Sequence, residues 1–380
     1  MGYWGLNFQI PTPSLQSTNP YGNYTVVDIV TPDMLHRIDP HWYQFPPMNP
    51  MWYGILGFVI SIALILSLFG NGVVIYVFVT TKNLRTPANF LIVNLAVADF
   101  CMMTSVSFPM IVNCVFRTWV LGPFICDIYG MCGSLFGCVA IYSMMFITYD
   151  RYNVIVKGIT NKPPTYKGSF AKITFSWIWC TGWCIAPILG WNRYVPEGNM
   201  TVCGTDYLSK DWLSQSYLYA YGAIVYFCPL LYVLWAYTYI VSSVAAHEKN
   251  MRLQAEKMGM KSLRTEESQK MSVEFRLARI ALMTVALWFI AWTPYCVINF
   301  VGMNAKHYIT PLFSVWGSLF SKLNAIYNPI VYAISHPKYR AALYTKMPWL
   351  SCSTDEESDV GGDRTTIVTN SSIIPKSTNT

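Results

Sequence analysis

Charged positions are spread so unevenly along this chain that long apolar segments stand out. Residues 54–80, 128–149, 173–192, 212–246 and 280–305 contain no Asp, Glu, Lys or Arg, while 88–116 and 307–335 contain one each, Asp99 and Lys322. Each segment reaches the roughly 20 residues that a helix needs to cross a bilayer. A helix satisfies its own backbone in lipid, and the alternating pattern of a membrane barrel is absent. The predicted fold class is all-α membrane protein, a seven-transmembrane-helix bundle. Pro109, Pro187, Pro229, Pro294 and Pro329 fall inside these runs, where membrane helices accept kinks. After the last run, Tyr339, Leu343 and Met347 recur every four residues with Lys338, Arg340 and Lys346 between them, which suits a helix lying on the membrane surface. The pattern divides the chain into an extracellular N-terminal tail (1–50), the bundle (51–335), a short amphipathic surface helix (336–348) and a disordered cytoplasmic tail (349–380).

Composition agrees. The chain is 53% hydrophobic and 12% charged, about half the charge of a soluble domain. The net charge is +7, but the basic residues are concentrated: 247–279 holds 8 of the 26 Lys and Arg. The positive-inside rule puts that segment and the C-terminus in the cytoplasm and the N-terminus outside. The charge therefore reads as topology, with no nucleic-acid partner implied. Residues 1–50 lack the basic start and apolar run of a cleavable signal peptide and offer Asn23 as a glycan acceptor. Asn199 also heads a sequon but lies in a loop expected to plug the bundle. Most of the 11 cysteines lie in apolar runs, where the thiol is a small hydrophobe. Cys126 and Cys203 sit at the outer ends of spans, in an oxidising compartment, and are the natural disulfide pair; the alternative is two free thiols. Cys352, just past the surface helix, is a palmitoylation candidate.

Lys322 is the anomaly. About twelve residues separate it from either end of its span, roughly 18 Å at 1.5 Å per residue. A lysine stem cannot reach the surface over that distance, and a charge at the helix centre costs about 3 kcal/mol. Three readings are open: a buried ion pair, an ion or proton path, or an amine consumed as a Schiff base with an aldehyde. Carboxylate partners are scarce. Asp99 is mid-span, Asp150 lies at an inner end, and Asp127 and Glu197 lie outside.

Further motifs converge here: Gly70-Asn71, "NLAVAD" ending at Asp99, Cys126, Asp150-Arg151-Tyr152, Trp177, "AWTP" with Trp292 and Pro294, and "NPIVY" with Asn328, Pro329 and Tyr332. In this order and spacing, over about 50–348, they resemble the rhodopsin-like receptors that activate heterotrimeric G proteins. Lys322, seven residues before Pro329, matches the retinal-linking lysine of opsins. "RYVPEGNMTVCGTDY" (193–207), "HEKNMRLQAEKMGMKSLR" (247–264) and "HPK" (336–338) are similar to arthropod visual opsins, most of all to those of jumping spiders.

The resemblance implies a light-activated receptor, not an enzyme, in the plasma membrane of photoreceptor cells (the rhabdomeric membrane). Its cofactor would be retinal, 11-cis in the dark and all-trans after light, bound at Lys322 as a protonated Schiff base. Gly137, Tyr221, Trp292 and Tyr295 match pocket-lining positions, although aromatic packing between helices fits each as well. Vertebrate visual opsins carry a Glu three residues after the span-three Cys, where this chain has Tyr129. The counterion role therefore shifts to Glu197, with Asp127 as its rival, and Tyr129 becomes a hydrogen-bonding neighbour of the imine. For the switch, Asp150 is expected to pair with the adjacent Arg151, and Glu274 to hold Arg151 across the bundle. Tyr237 and Tyr332 would support Arg151 after activation. Asn71, Asp99 and Asn328 would form a polar patch mid-membrane. Implied partners are a Gq-class G protein, and arrestin and a receptor kinase through the tail, with membrane lipid around the bundle. A thermally stable, bistable photoproduct is expected. The rival function is a retinal photoisomerase without signalling.

Overall fold

The computed structural model describes residues 24–158, 164–257 and 266–350. Seven long helices follow in order: α1 (Pro50–Thr80), α2 (Pro87–Phe116), α3 (Gly122–Ile155), α4 (Tyr166–Ile185), α5 (Trp212–Lys257), α6 (Glu266–Ala305) and α7 (Pro311–Ser335). A shorter α8 (Pro337–Lys346) follows. Among the described residues, α1, α2, α3, α5 and the stretch Met271–Tyr308 are long and apolar enough to cross a membrane on composition alone. The helices α4 and α7 complete the seven-helix bundle; α4 carries Lys167 and Lys172, and α7 carries Lys322 among several Ser and Asn.

Local chemistry sets the starts. Pro50 and Pro311 occupy the first turns of α1 and α7, where a missing N–H costs nothing. Asn49 accepts from Met51 N at 2.9 Å and Thr310 from Phe313 N at 3.2 Å, capping orphan donors. Within α5, Gly222–Phe227 widens to a π-helical turn just before Pro229. The run 173–192 does not stay helical: α4 stops at Ile185, and Pro187 lies in the turn beyond it.

Helix α3 runs through the middle, against α2, α4, α5 and α6, while α7 closes against α1, α2 and α6. Its neighbours bury Val139, Ile141 and Met144 completely or nearly so. Phe58, Ile65, Val115, Ile178, Leu231 and Ile290 stand exposed around the outside, a girdle that a soluble protein could not tolerate and lipid covers.

Residues 24–49 pack on the bundle. Two 3-10 turns (Pro32–Arg37 and Pro40–Gln44) fold over the outer end of the bundle and bury Val26, Met34 and Trp42. The apolar face of α8 is spent on protein: Tyr339 stacks on Phe78 with ring centroids 5.3 Å apart, and Leu343 is buried beside it. Asn23, Cys352 and the tail from 351 lie outside the described residues.

Candidate functional site

Lys322 sits on the inward face of α7, only 8% exposed. Its Nζ donates to Ser318 one turn earlier, to the carbonyl at 3.0 Å and to Oγ at 2.7 Å, and lies 5.6 Å from the ring centroid of Tyr129. The five ion pairs among the described residues do not include it. The amine lines a cavity of about 390 Å³ with Tyr129, Gly130, Ser318, Ser321 and Tyr295. A second cavity of about 650 Å³ shares Ser134, Trp292 and Tyr295 with it and adds Gly137, Tyr221, Val225 and Trp288. The larger cavity is lined mostly by apolar side chains with few polar groups, the composition of small-molecule sites.

Two glycines let aromatic rings pack close around this space. A Cβ on Gly137 would overlap the indole of Trp292, and one on Gly130 would overlap the Tyr194 ring. All four residues expected to line the pocket are therefore brought together around one space.

The roof is a two-stranded antiparallel ribbon, β1 (Tyr194–Glu197) and β2 (Val202–Thr205). A disulfide between Cys126 and Cys203 ties β2 to the top of α3. Gly198 follows Glu197 with φ of +64° and turns the chain back, a conformation that glycine adopts without steric cost. Opposite, a Cβ on Gly204 would strike the Tyr295 hydroxyl and the Glu197 carboxylate. Glu197 is thereby packed under the roof, 1% exposed. Its Oε1 accepts from Tyr295 Oη at 3.4 Å, and Oε2 is left without a partner. Burial pushes this carboxyl above the ordinary carboxylate range, while the Lys322 charge and the Tyr207 and Tyr295 hydroxyls pull it back.

Tyr129 presents its ring, not its hydroxyl, to Lys322; the buried hydroxyl has no partner. Asp127 is engaged elsewhere, held by both Nη atoms of Arg37 at 2.5 and 3.0 Å. Asp206, also buried, is held by Arg193, which leaves Glu197 as the buried outer carboxylate without an ion pair.

At the inner end Arg151 pairs with Glu274, as expected, but Asp150 does not pair with Arg151. It binds Lys172 of α4 instead, and its Oδ2 has no hydrogen bond. The reason is helical geometry: adjacent residues diverge by about 100°, so Asp150 faces α4 while Arg151 faces α6. Tyr152 packs on Trp235 with centroids 4.9 Å apart. Tyr237 Oη donates to Ala278 O at 2.8 Å, and Tyr332 is buried near Tyr339. The polar patch divides in two: Asn328 donates to Asp99 at 2.7 Å, whereas Asn71 donates to Ser67 and, at 2.8 Å, to Ala325 O.

Sequence reasoning missed Ser318, Gly204, Arg37 and Lys172. Ser318 had a signal, one helical turn before Lys322; the others reach their partners only through tertiary packing.

Residues 70–332 match the family model described as 7 transmembrane receptor (rhodopsin family). The chain is 57% identical over 349 residues to "Rhodopsin" of Camponotus atriceps, covering 92% of each chain. It is 58% identical to "Rhodopsin, long-wavelength" of Apis mellifera, over 89% of this chain and 90% of that one. "Rhodopsin" of Procambarus clarkii is 57% identical over 94% and 95%. Among solved structures, squid rhodopsin superposes with a TM-score of 0.78 at 36% identity, over 84% of this chain and 91% of that one. These names set the likeness among arthropod rhodopsins and do not single out those of jumping spiders.

Proposed function

We propose how this chain, which belongs to the rhodopsin family of seven-transmembrane receptors and is an invertebrate visual opsin, senses light: Lys322 holds retinal as a protonated Schiff base and Glu197 balances its charge. As a light-sensing G-protein-coupled receptor it is a multi-pass membrane protein with a retinal chromophore and a heterotrimeric G-protein partner, a receptor rather than an enzyme. The observation that carries the finer reading is a buried lysine, unpaired by any carboxylate, opening into an apolar space.

The residues fit the group. The two cavities meet at Trp292 and Tyr295, so a molecule attached at Lys322 can extend toward Gly137 and Tyr221. The missing Cβ of Gly137 lets the Trp292 indole pack directly on α3 beside the pocket. The unpartnered Tyr129 hydroxyl and Glu197 Oε2 are the polar groups an apolar chain with one charged end calls for. Retinal, when bound, supplies light absorption and the change from 11-cis to all-trans. The protein's part is to hold the amine dry, to face it with one carboxylate, and to couple the pocket to Trp292 on α6. The Arg151–Glu274 pair then keeps α3 and α6 together in the dark, a bistable contact whose release opens the inner face. That face engages a Gq-class protein, with α5 extending to Lys257 as part of the surface. The tail from 349 is the site of receptor kinase and arrestin action, and the membrane is the rhabdomeric one. The photoproduct is thermally stable and reverts under a second colour.

The test is an absorption spectrum of the protein incubated with 11-cis-retinal, before and after a light pulse, beside Lys322→Ala. A visible band that shifts on illumination, returns with a second wavelength and is missing in the variant supports the reading. A band of free retinal alone in the unaltered protein refutes it.

A further inference from the structure

We infer that Arg37 is the latch of the pocket roof: a positioning residue, outside the pocket, that holds β1 and with it Glu197 against the top of α3. The inference rests on the proposed attachment of retinal at Lys322 for its meaning, but its geometry stands without it.

The roof has two strands and unequal anchors. Strand β2 is fixed covalently, through the Cys126–Cys203 disulfide. Strand β1, which carries Glu197, has no such bond; it is held by pairing with β2, by the buried Tyr194 side chain, whose hydroxyl donates to Cys184 O at 2.8 Å and whose ring packs on Gly130, and by a hold on its outer edge. Arg37 supplies that hold. Its guanidinium takes Asp127 in a two-pronged pair at 2.5 and 3.0 Å, and Nη1 also donates to the Tyr194 carbonyl at 3.2 Å. Tyr194 is the first residue of β1, three before Glu197, and Asp127 adjoins Cys126. One side chain thus ties β1 to the same turn of α3 that holds β2.

The segment carrying Arg37 is itself tied down elsewhere. His41 Nε2 meets Ile309 O at 2.8 Å, just before α7, and Trp42 is buried. Residues 32–44 therefore bridge the outer ends of α3 and α7, the helices that bring Tyr129 and Lys322. The Arg37 and Asp127 side chains are 19% and 23% exposed, and a partly shielded, two-pronged Arg–carboxylate pair is both stronger and more directional than an ordinary surface contact. With the latch closed, the guanidinium spans the seam between β1 and the top of α3. With it open, Glu197 can swing and solvent can reach Lys322.

Two measurements test this on the full chain. Hydrogen exchange of the Tyr194–Glu197 amides in the retinal-free protein reads the opening directly. In the retinal-loaded protein, the dark reaction with hydroxylamine reads access to Lys322: its nitrogen displaces the lysine amine from the retinal carbon, leaving the oxime and free Lys322. Arg37→Gln should speed both by about tenfold, the effect of losing one charged hydrogen-bonding partner. Arg37→Lys keeps the charge without the fork and should fall between. The exchanged pair R37D/D127R should recover much of the protection. Rates equal to those of the unaltered protein overturn the inference, as does a lowered Tm with unchanged rates, which would mark Arg37 as merely structural. If R37Q does not fold, the exchanged pair and R37K decide: protection in the pair with intermediate rates in R37K supports the latch, and its absence refutes it. A failure to form any visible pigment would sink the retinal reading alone, because amide exchange in the retinal-free protein still decides the latch.

Discussion

Two buried charge sites, one at the inner end of the bundle and one under the outer roof, are partnered in opposite ways. At the inner end every buried charge on the Asp150-Arg151 pair has a partner of opposite sign in direct contact, Lys172 for one and Glu274 for the other. Under the outer roof, Lys322 and Glu197 are both buried with no ion pair between them: the amine bonds to Ser318 and one carboxylate oxygen bonds to nothing. Desolvated charges that could pair but do not are costly. A protein keeps such an arrangement where a third group completes it. The inner end is a closed lock, and the outer end is a socket. On the proposed reading the two sites have separate roles: the inner pairs hold one state against another, while the outer pair receives the chromophore.

The sharpest way to break this comparison is to remove the socket's carboxylate. Glu197→Gln should lower the pH at which the visible band gives way to a near-ultraviolet one by about 1–3 pH units, the worth of a facing opposite charge. A titration followed by absorbance checks it, and an unchanged midpoint would assign the counter-charge elsewhere. The retinal-free protein offers a second readout with a definite sign. Burial raises the Glu197 carboxyl above its unfolded value, so the folded state keeps a proton that the unfolded chain has already released. The carboxyl therefore favours the fold fully at pH below the ordinary carboxylate range, and that contribution is lost as pH rises through the raised value. Thermal melts across pH should show that decline, and E197Q should flatten it.

Opening the lock should matter less, because it shifts an equilibrium and leaves the binding site intact. Glu274→Gln removes the partner of Arg151 without changing its shape. Dark activation of a purified G protein should rise about fivefold or more, the low end of typical coupling between states, while the absorption maximum stays in place. Dark activity at the baseline level would mean that some other contact holds α3 to α6. The reverse pattern, a moved maximum with quiet dark activity, would erase the distinction between socket and lock.

What could be read from the sequence follows from the range of the forces involved. Seven apolar runs, five without charge and two with one charge each, were legible because a lipid-facing helix needs little else, and Lys322 stood out because lipid makes one charge anomalous. The disulfide was legible from two cysteines at outer span ends. The end of α4 was not: the turn at 186–190 is built of Ala, Pro, Ile, Leu and Gly, so no charge marked it, while Lys167 and Lys172 inside the helix looked like loop. The partner of Asp150 was misjudged because sequence adjacency is not spatial adjacency on a helix. Residues 24–49 carry no helical or strand period because their shape comes from two 3-10 turns, the second capped by Asp39, pinned to distant loops.

The smallest expected effect lies on the outer rim and tests whether ordinary surface charge adds to the roof. Lys306 and Asp39 approach to 3.7 Å, with Lys306 40% exposed, so the pair should contribute less than about 1 kcal/mol. Lys306→Gln should shift Tm by no more than about 2 °C. Asp39 does a second job: it accepts from His41 N at 2.7 Å and caps the turn that places His41 against Ile309. Asp39→Ala should therefore cost about 1 kcal/mol more, the usual loss for such a cap, and its effect should persist at high salt, where the K306Q difference vanishes. Equal losses in the two variants would mean that the ion pair, and not the backbone cap, seats this segment on the bundle.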